Sequence, residues 1–242
     1  MNYKQLLPIQ FLPLGDKAVV LQFEEEVSET THAKIQAVVQ YLDKHPSPGI
    51  VAYVPAYNTL TVYYEPWLLS NKGKVDPYDE TVALLQKALK KAKEYKGGSS
   101  RLVEIPVCYG GTFGPDLEEV ALHNKLTPDK VIALHSQKIY LVHIMGFAPG
   151  FPYLGGLDIR LATPRKAEPR ALIPKGSVGI AGKQTGIYPI ETPGGWQLIG
   201  RTPLVLFDPE REQASMLKAG DKVKFNAITE AEFKTLAAQH EH

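Results

Sequence analysis

The chain has 242 residues, 44% of them hydrophobic and 22% charged, with a formal net charge of +1. That length holds one large domain or two small ones with real cores, and the near-neutral charge excludes bulk attraction to nucleic acid. Cys108 is the only cysteine, which excludes an internal disulfide and agrees with a reducing compartment. No run of about 18 apolar residues and no signal-peptide pattern is present. The expected location is the cytoplasm, with neither membrane nor nucleic acid as a partner.

The first part of the chain, residues 1–96, reads as a small α+β domain. Ala18–Phe23 has strand character after a turn at Gly15-Asp16. Ser28 is placed to cap a helix over Glu29–Lys44, in which Ile35, Val38, Val39 and Leu42 form one apolar stripe. His45-Pro46 and Pro48-Gly49 stop it. Ile50–Val54 and Thr59–Tyr64 follow as strands around a turn at Asn58. Asp76-Pro77 opens a second helix, with Val82, Leu85, Leu89 and Ala92 on one face and lysines at its end. The order strand–helix–strand–strand–helix resembles a split βαβ layer with helices on one face.

Gly97-Gly98-Ser99-Ser100 is the clearest linker, and the second domain is expected over residues 101–242. Arg101–Cys108 reads as a strand with Pro106 inside it, which points to an edge or end position. Two helices are expected within 116–136, the second capped by Thr127 and opened by Pro128. A packed pair is favoured over a DNA-binding unit, because Lys125 and Lys130 face Asp116, Glu118, Glu119 and Asp129. From Lys138 onward the pattern is all β. Ile139–Ile144, Val178–Ala181, Gly186–Ile190, Gln197–Ile199, Leu204–Phe207 and Lys222–Phe225 are the expected strands, and a closed barrel or a sandwich the expected form. Ala231–Ala238 reads as a last helix, and His240-Glu241-His242 as an unordered tail rather than a metal site.

Within this part, 11 of the chain's 20 Gly and 7 of its 19 Pro lie between Gly146 and Gly200. Such density excludes long helices and favours short strands joined by tight turns. Seven Lys or Arg against three acids occupy the stretch from His143 to Arg201, beside Phe147, Phe151, Tyr153, Tyr188 and Trp196. A shaped, aromatic-lined, locally cationic surface suits a small anion or a partner's acidic patch. Gly176–Gly186 invites a phosphate-loop reading, but its spacing is wrong, Gln184 stands where Ser or Thr would meet magnesium, and a β-type run follows it.

No nucleophile–base pair stands out. His143 precedes the Gly/Pro-rich loop shaped by Pro149, Gly150 and Phe151, and reads either as a general base or substrate donor or as a satisfied structural histidine. Arg165, Arg170 and Arg201 flank prolines, which lower the entropy cost of aiming a guanidinium at a carboxylate or phosphate. Lys175 is a more flexible point charge of the same kind. Gln184, Tyr188 and Trp196 are candidates to line one pocket with them, Trp196 serving equally well as a plug over the barrel core. Gly194-Gly195 is read as a site of close backbone approach.

GFAPGFPYLGG, PRxxxPR, PKGSVGIAGxQTGIYPI and TPGGWQLIGRTP together resemble the signature of the 5-oxoprolinase B-subunit family. That family includes the Kip-type inhibitor of a sporulation histidine kinase. It is related to the first component of allophanate hydrolase and to part of the carboxyltransferase region of urea carboxylase. The resemblance begins at LGDKAVVLQF and is dense from VEIPVCYGGTFGPDLEEVA onward. It implies a cyclophilin-like β-barrel domain after the α+β domain. It also implies one subunit of a three-part enzyme that converts 5-oxo-L-proline to L-glutamate, in which the B and C subunits activate the lactam by phosphorylation and the A subunit opens it. ATP with magnesium is then expected at a site shared with the C subunit, with no bound metal of the chain's own and no activity from the isolated chain. Inhibition of a histidine kinase is the alternative that the resemblance offers, and an allophanate hydrolase or carboxyltransferase role the lesser one.

Overall fold

The computed structural model describes residues 9–23, 28–94 and 101–239. The expected linker at 97–100 and the tail at 240–242 lie outside the described residues. The chain divides into two compact units, Met1–Ser99 and Ser100–His242. No helix among the described residues is long and apolar enough to cross a membrane.

The first unit contains β1 (Gln10–Pro13), β2 (Ala18–Gln22), α1 (Glu29–Lys44), β3 (Ile50–Ala56), β4 (Thr59–Tyr64), α2 (Pro66–Leu69) and α3 (Pro77–Ala92). Its antiparallel sheet has the order β1-β2-β4-β3, so β4 lies between β2 and β3 and α1 makes the crossover. The Ser28 hydroxyl accepts from the Thr31 N–H at 3.1 Å, and the Asp76 carboxylate from the Tyr78 N–H at 2.8 Å, which fixes both long helices at their starts. Alternation along the central strands sends Val19, Leu21, Leu60 and Val62 into one core with Ile35, Val38 and Leu42 of α1 and Leu85 of α3. Strand β1 was not among the expected elements; Pro13 argues against a strand, but an edge strand needs only one paired side.

The second unit contains β5 (Leu102–Tyr109), α4 (Leu117–His123), α5 (Pro128–Ser136), β6 (Ile139–Met145), β7 (Pro152–Gly155), a 3-10 turn (Ile159–Leu161), β8 (Arg170–Ile173), β9 (Ser177–Ala181), β10 (Gln184–Ile187), β11 (Thr192–Gly194), β12 (Gln197–Arg201), β13 (Lys222–Ile228) and α6 (Glu230–Gln239). Seven strands close a barrel in the order β10-β7-β6-β13-β5-β12-β9, while β8 and β11 pair apart as a two-stranded ribbon. Ile105, Val142, Leu154, Val178, Ile180 and Phe225 fill the interior, and Leu117, Val120, Val131 and Leu134 of α4 and α5 belong to the same core. The helical pair is thus packed against the barrel through its apolar faces.

Three expectations are corrected. Pro106 lies within a barrel strand, not at an edge, since β5 has both β13 and β12 as neighbours. β12 reaches β5 only at Cys108 and Tyr109, so one side of the strand is still open where the proline lacks its N–H. The strand expected at Gly186–Ile190 begins at Gln184 instead, because only Gly182 and Lys183 separate the paired residues Ala181 and Gln184, and it ends at Ile187, two residues before Pro189. Leu204–Phe207 is not a strand; between Pro203 and Pro209 only an isolated bridge from Phe207 to Ser215 forms.

Candidate functional site

The Gly/Pro-rich stretch builds most of the barrel wall and a second, smaller core. Gly179 of β9 and Gly186 of β10 face each other in register. A methyl group on Gly179 would stand 3.1 Å from Cβ of Trp196, and one on Gly186 would stand 3.0 Å from Cζ3 of Trp196 and 3.1 Å from Cζ of Phe151. The two glycines therefore leave a strip without side chains, on which large rings settle. Phe151, Tyr188 and Trp196 pack there at right angles, with centroids 5.2 and 5.5 Å from Phe151, together with Ile173 of β8 and Leu198 of β12. Tyr188 and Trp196 are 1% and 5% exposed, so neither lines an open pocket as expected. Trp196 acts as core, though on this second core rather than over the barrel's interior.

Gly194 is placed as the sequence suggests. A side chain there would meet the Tyr188 Oη at 2.5 Å and Ile173 at 2.7 Å, whereas Gly195 has ordinary room. Burial pushes the Tyr188 phenol up to about 12, opposed by the N–H of Trp196 and by the Arg165 and Arg170 charges. Gly150, at φ +78°, brings the loop between β6 and β7 against Phe207.

Three of the predicted cations, Arg170, Lys175 and Arg201, lie near the two ends of β12. At its start the buried Asp116 holds Arg170, together with Lys166, which was not among the candidates. Its Oδ1 accepts from Arg170 Nη2 at 2.6 Å and from Lys166 Nζ at 3.2 Å, and its Oδ2 accepts from the Leu198 N–H at 2.7 Å. The Asp116 N–H donates in turn to the Leu198 carbonyl, and Lys166 also reaches Glu119 at 2.9 Å. Burial alone would raise the Asp116 carboxyl, but the Arg170 and Lys166 cations and the Leu198 N–H outweigh it and hold the group below its ordinary value. Arg170, expected to be aimed at a ligand, is therefore committed to an ion pair. The pairing of β8 with β11 sets Arg170 opposite Gly194 and so beside this carboxylate. Sequence reasoning counted Asp116 only as an acid opposing DNA.

At the far end of β12, roughly 13 Å away along the strand, Arg201 donates through Nε to the Lys175 carbonyl at 2.9 Å. Gly176, next to Lys175, turns the chain at φ +82°, with the Thr202 carbonyl 2.3 Å from where a Cβ would lie. Among the described residues no ion pair engages Arg165, Lys175 or Arg201. Lys175 and Arg201 thus form a cationic corner set by a turn that only glycine fits.

Gln184 is half-buried at the β9–β10 hairpin, away from that corner in the chain. The same hairpin excludes a phosphate loop, since the glycine-rich run turns from strand to strand. His143 is buried on β6, its ring over Gly155, whose Cβ would lie 2.2 Å from Nε2. A different histidine has the most complete surroundings. His135, fully buried, stacks on Phe225 at 4.5 Å and lies between the Tyr109 hydroxyl (2.8 Å from Nδ1) and the Thr185 hydroxyl (3.0 Å from Nε2). Thr185 donates to the Gly179 carbonyl, so it accepts from Nε2–H, and Nδ1 accepts from Tyr109. Burial lowers its pKa to about 3, so it is a neutral core residue. Its place near the end of an amphipathic helix gave no sign of this.

A closed barrel with a ribbon-covered outer core, reached through a glycine-rich wall, defines a domain class that comparison identifies. The family model for the carboxyltransferase domain, subdomain C and D, matches residues 9–217. The chain is 47% identical over 227 residues to the 5-oxoprolinase B subunit of Bacillus subtilis (strain 168), covering 93% of this chain and 95% of that one. It is 45% identical over 212 residues to the 5-oxoprolinase B subunit of Escherichia coli O157:H7, covering 88% and 93%. Among solved structures it is similar to TTHA0988, with a TM-score of 0.74 and 38% identity over 87% of this chain; it spans only 40% of that longer chain. The chain belongs to the carboxyltransferase subdomain C and D family, together with the 5-oxoprolinase B subunits.

Proposed function

We propose that the chain is the B component of an ATP-dependent 5-oxoprolinase, which acts with the A and C subunits to convert 5-oxo-L-proline to L-glutamate in the cytoplasm. The observation that carries this reading is the 47% identity over nearly the whole length of such a B component. A lactam is a poor electrophile, and phosphorylation of its oxygen would make the ring carbon open to attack. The described residues do not fit a complete nucleotide site: the glycine-rich run is a hairpin, and no group of three or more His, Cys, Asp or Glu among them could hold a metal ion. On this reading ATP with magnesium belongs to a site completed by the C subunit.

The part given to this chain is electrostatic. Lys175 and Arg201 would hold the substrate carboxylate or the transferring phosphoryl group, whereas Arg170 acts through the fold. The test is ATP-dependent glutamate release by the three candidate subunits, with and without this chain. Turnover is expected only with all three. Lys175→Ala and Arg201→Ala should each lower kcat/KM roughly tenfold to a hundredfold, the loss of a charge-assisted contact. Full turnover without this chain overturns the subunit reading, and full turnover in both variants overturns the residue assignment alone.

A further inference from the structure

Phe147 combines three properties that rarely coincide. It is a bulky residue in the left-handed region, at φ +71°, where a Cβ is disfavoured and glycine is the usual occupant. The residue is 65% exposed. Yet the loop that carries it is closely held: the Gly146 N–H donates to the Phe151 carbonyl at 3.1 Å, the Phe151 N–H to the Ala148 carbonyl at 3.0 Å, and Gly150 lies against Phe207. The exposed ring meets Phe151 edge-on at 5.5 Å, and Phe151 is seated on the glycine strip with Trp196 and Tyr188. Phe147 is the outermost member of an aromatic stack whose inner members are buried core. Burial of its own ring does not account for the backbone strain, since the ring remains in water.

We propose that Phe147 is a pre-organised anchor that inserts into an apolar socket on the neighbouring subunit of the assembly. The inference rests on the subunit reading above. A ring fixed before encounter loses little entropy on binding, and a single aromatic on a rigid base is the common form of an interface hot spot. Two observations favour another polypeptide as the occupant. The two B-subunit relatives, matched over 95% and 93% of their length, are subunits by name, and TTHA0988 carries the same fold within a chain of which this one spans 40%. The charge that follows Phe207 in the chain describes the rim of the socket. Phe207, which touches the anchor loop, leads into Asp208, Glu210 and Glu212, with Arg211 paired to Asp208. A basic rim around the socket complements that edge.

The test is affinity between the full-length chain and the candidate neighbouring subunits, measured beside the melting temperature of the chain alone. Phe147→Gly removes the ring and also relieves the strain. It should weaken assembly about tenfold or more while the melting temperature holds or rises. Phe147→Tyr, which keeps the ring, should bind as the wild type does. Glu210→Lys with Glu212→Lys should slow association with little change in stability. Unchanged assembly by Phe147→Gly overturns the inference while the subunit reading stands. A melting temperature that falls together with binding makes Phe147 a structural residue and overturns it as well. Failure of the wild-type chain to assemble with any of the candidates removes both readings.

Discussion

At the scale of single residues, the chemistry of this chain is decided by what each charge already touches. Asp116 illustrates it. Its carboxylate is buried against Arg170, Lys166 and the Leu198 N–H, so removing it leaves a guanidinium and a main-chain donor unmatched. Asp116→Ala should cost about 3 kcal/mol of stability, the low end for breaking a buried pair, because both cations are about a quarter exposed. Denaturant unfolding reads this directly. His135 predicts a pH dependence. Its folded-state pKa lies at about 3, below the unfolded value, so between those values the unfolded chain binds more protons. Stability contributed by the neutral ring is whole above about pH 6.5 and falls by up to about 1.4 kcal/mol per pH unit as pH drops toward 3. The lowered Asp116 carboxyl adds to the loss only at the acid end of that range. His135→Gln offers an acceptor to Tyr109 and a donor to Thr185 without titrating, and should flatten the slope above pH 4.

At the scale of elements, glycine sets the position of the second core. Strands β9 and β10 leave their outer surface bare at Gly179 and Gly186, and the aromatic rings of β7, β11 and their loops fill that space. Gly186→Ala would place a methyl 2.9 Å from the Pro152 carbonyl and against two rings at once. Backbone and packed aromatics yield poorly, so the expected loss is about 2 to 3 kcal/mol, visible as a lower melting temperature with barrel circular dichroism retained. Gly182, with nothing near its Cβ direction but φ +57°, should tolerate Ala at about 1 kcal/mol. The contrast separates a glycine needed for space from one needed for backbone conformation. The same reasoning explains the Pro106 strand, whose missing donor falls where its neighbour has not yet begun to pair.

At the scale of the whole molecule, the chain carries separate cores in two units, one around Leu21, Ile35 and Leu85, the other around the barrel and the α4–α5 pair. We expect residues 101–242 expressed alone to fold, with a cooperative thermal transition and dispersed amide resonances. A molten fragment would show that the first unit is needed. The family match crosses both units, and the subunit reading predicts that the fragment cannot replace the full chain in glutamate release. The helices α1, α3 and α5 were legible in the sequence because caps, prolines and a 3.6-residue apolar period all lie within a few residues of one another. The number and spacing of short β-type runs made an all-β second unit legible but left barrel and sandwich open; closure follows from the strand pairing.

The site divides along the same line. The sequence by itself determined the family, the dense motif region and the identity of the cations, because these are properties of residues and their order. It could not show that Arg170 and Lys166 are held by Asp116, 54 and 50 positions away, or that His135 is matched by Thr185 across 50. Nor could it separate the Lys175–Arg201 corner from the ion-pair cluster, or seal Tyr188 and Trp196 into a core. Those outcomes depend on strand register and on which face of the wall glycine leaves bare. Register is fixed only when the barrel closes, and only the tertiary structure decides which charges meet and which remain free.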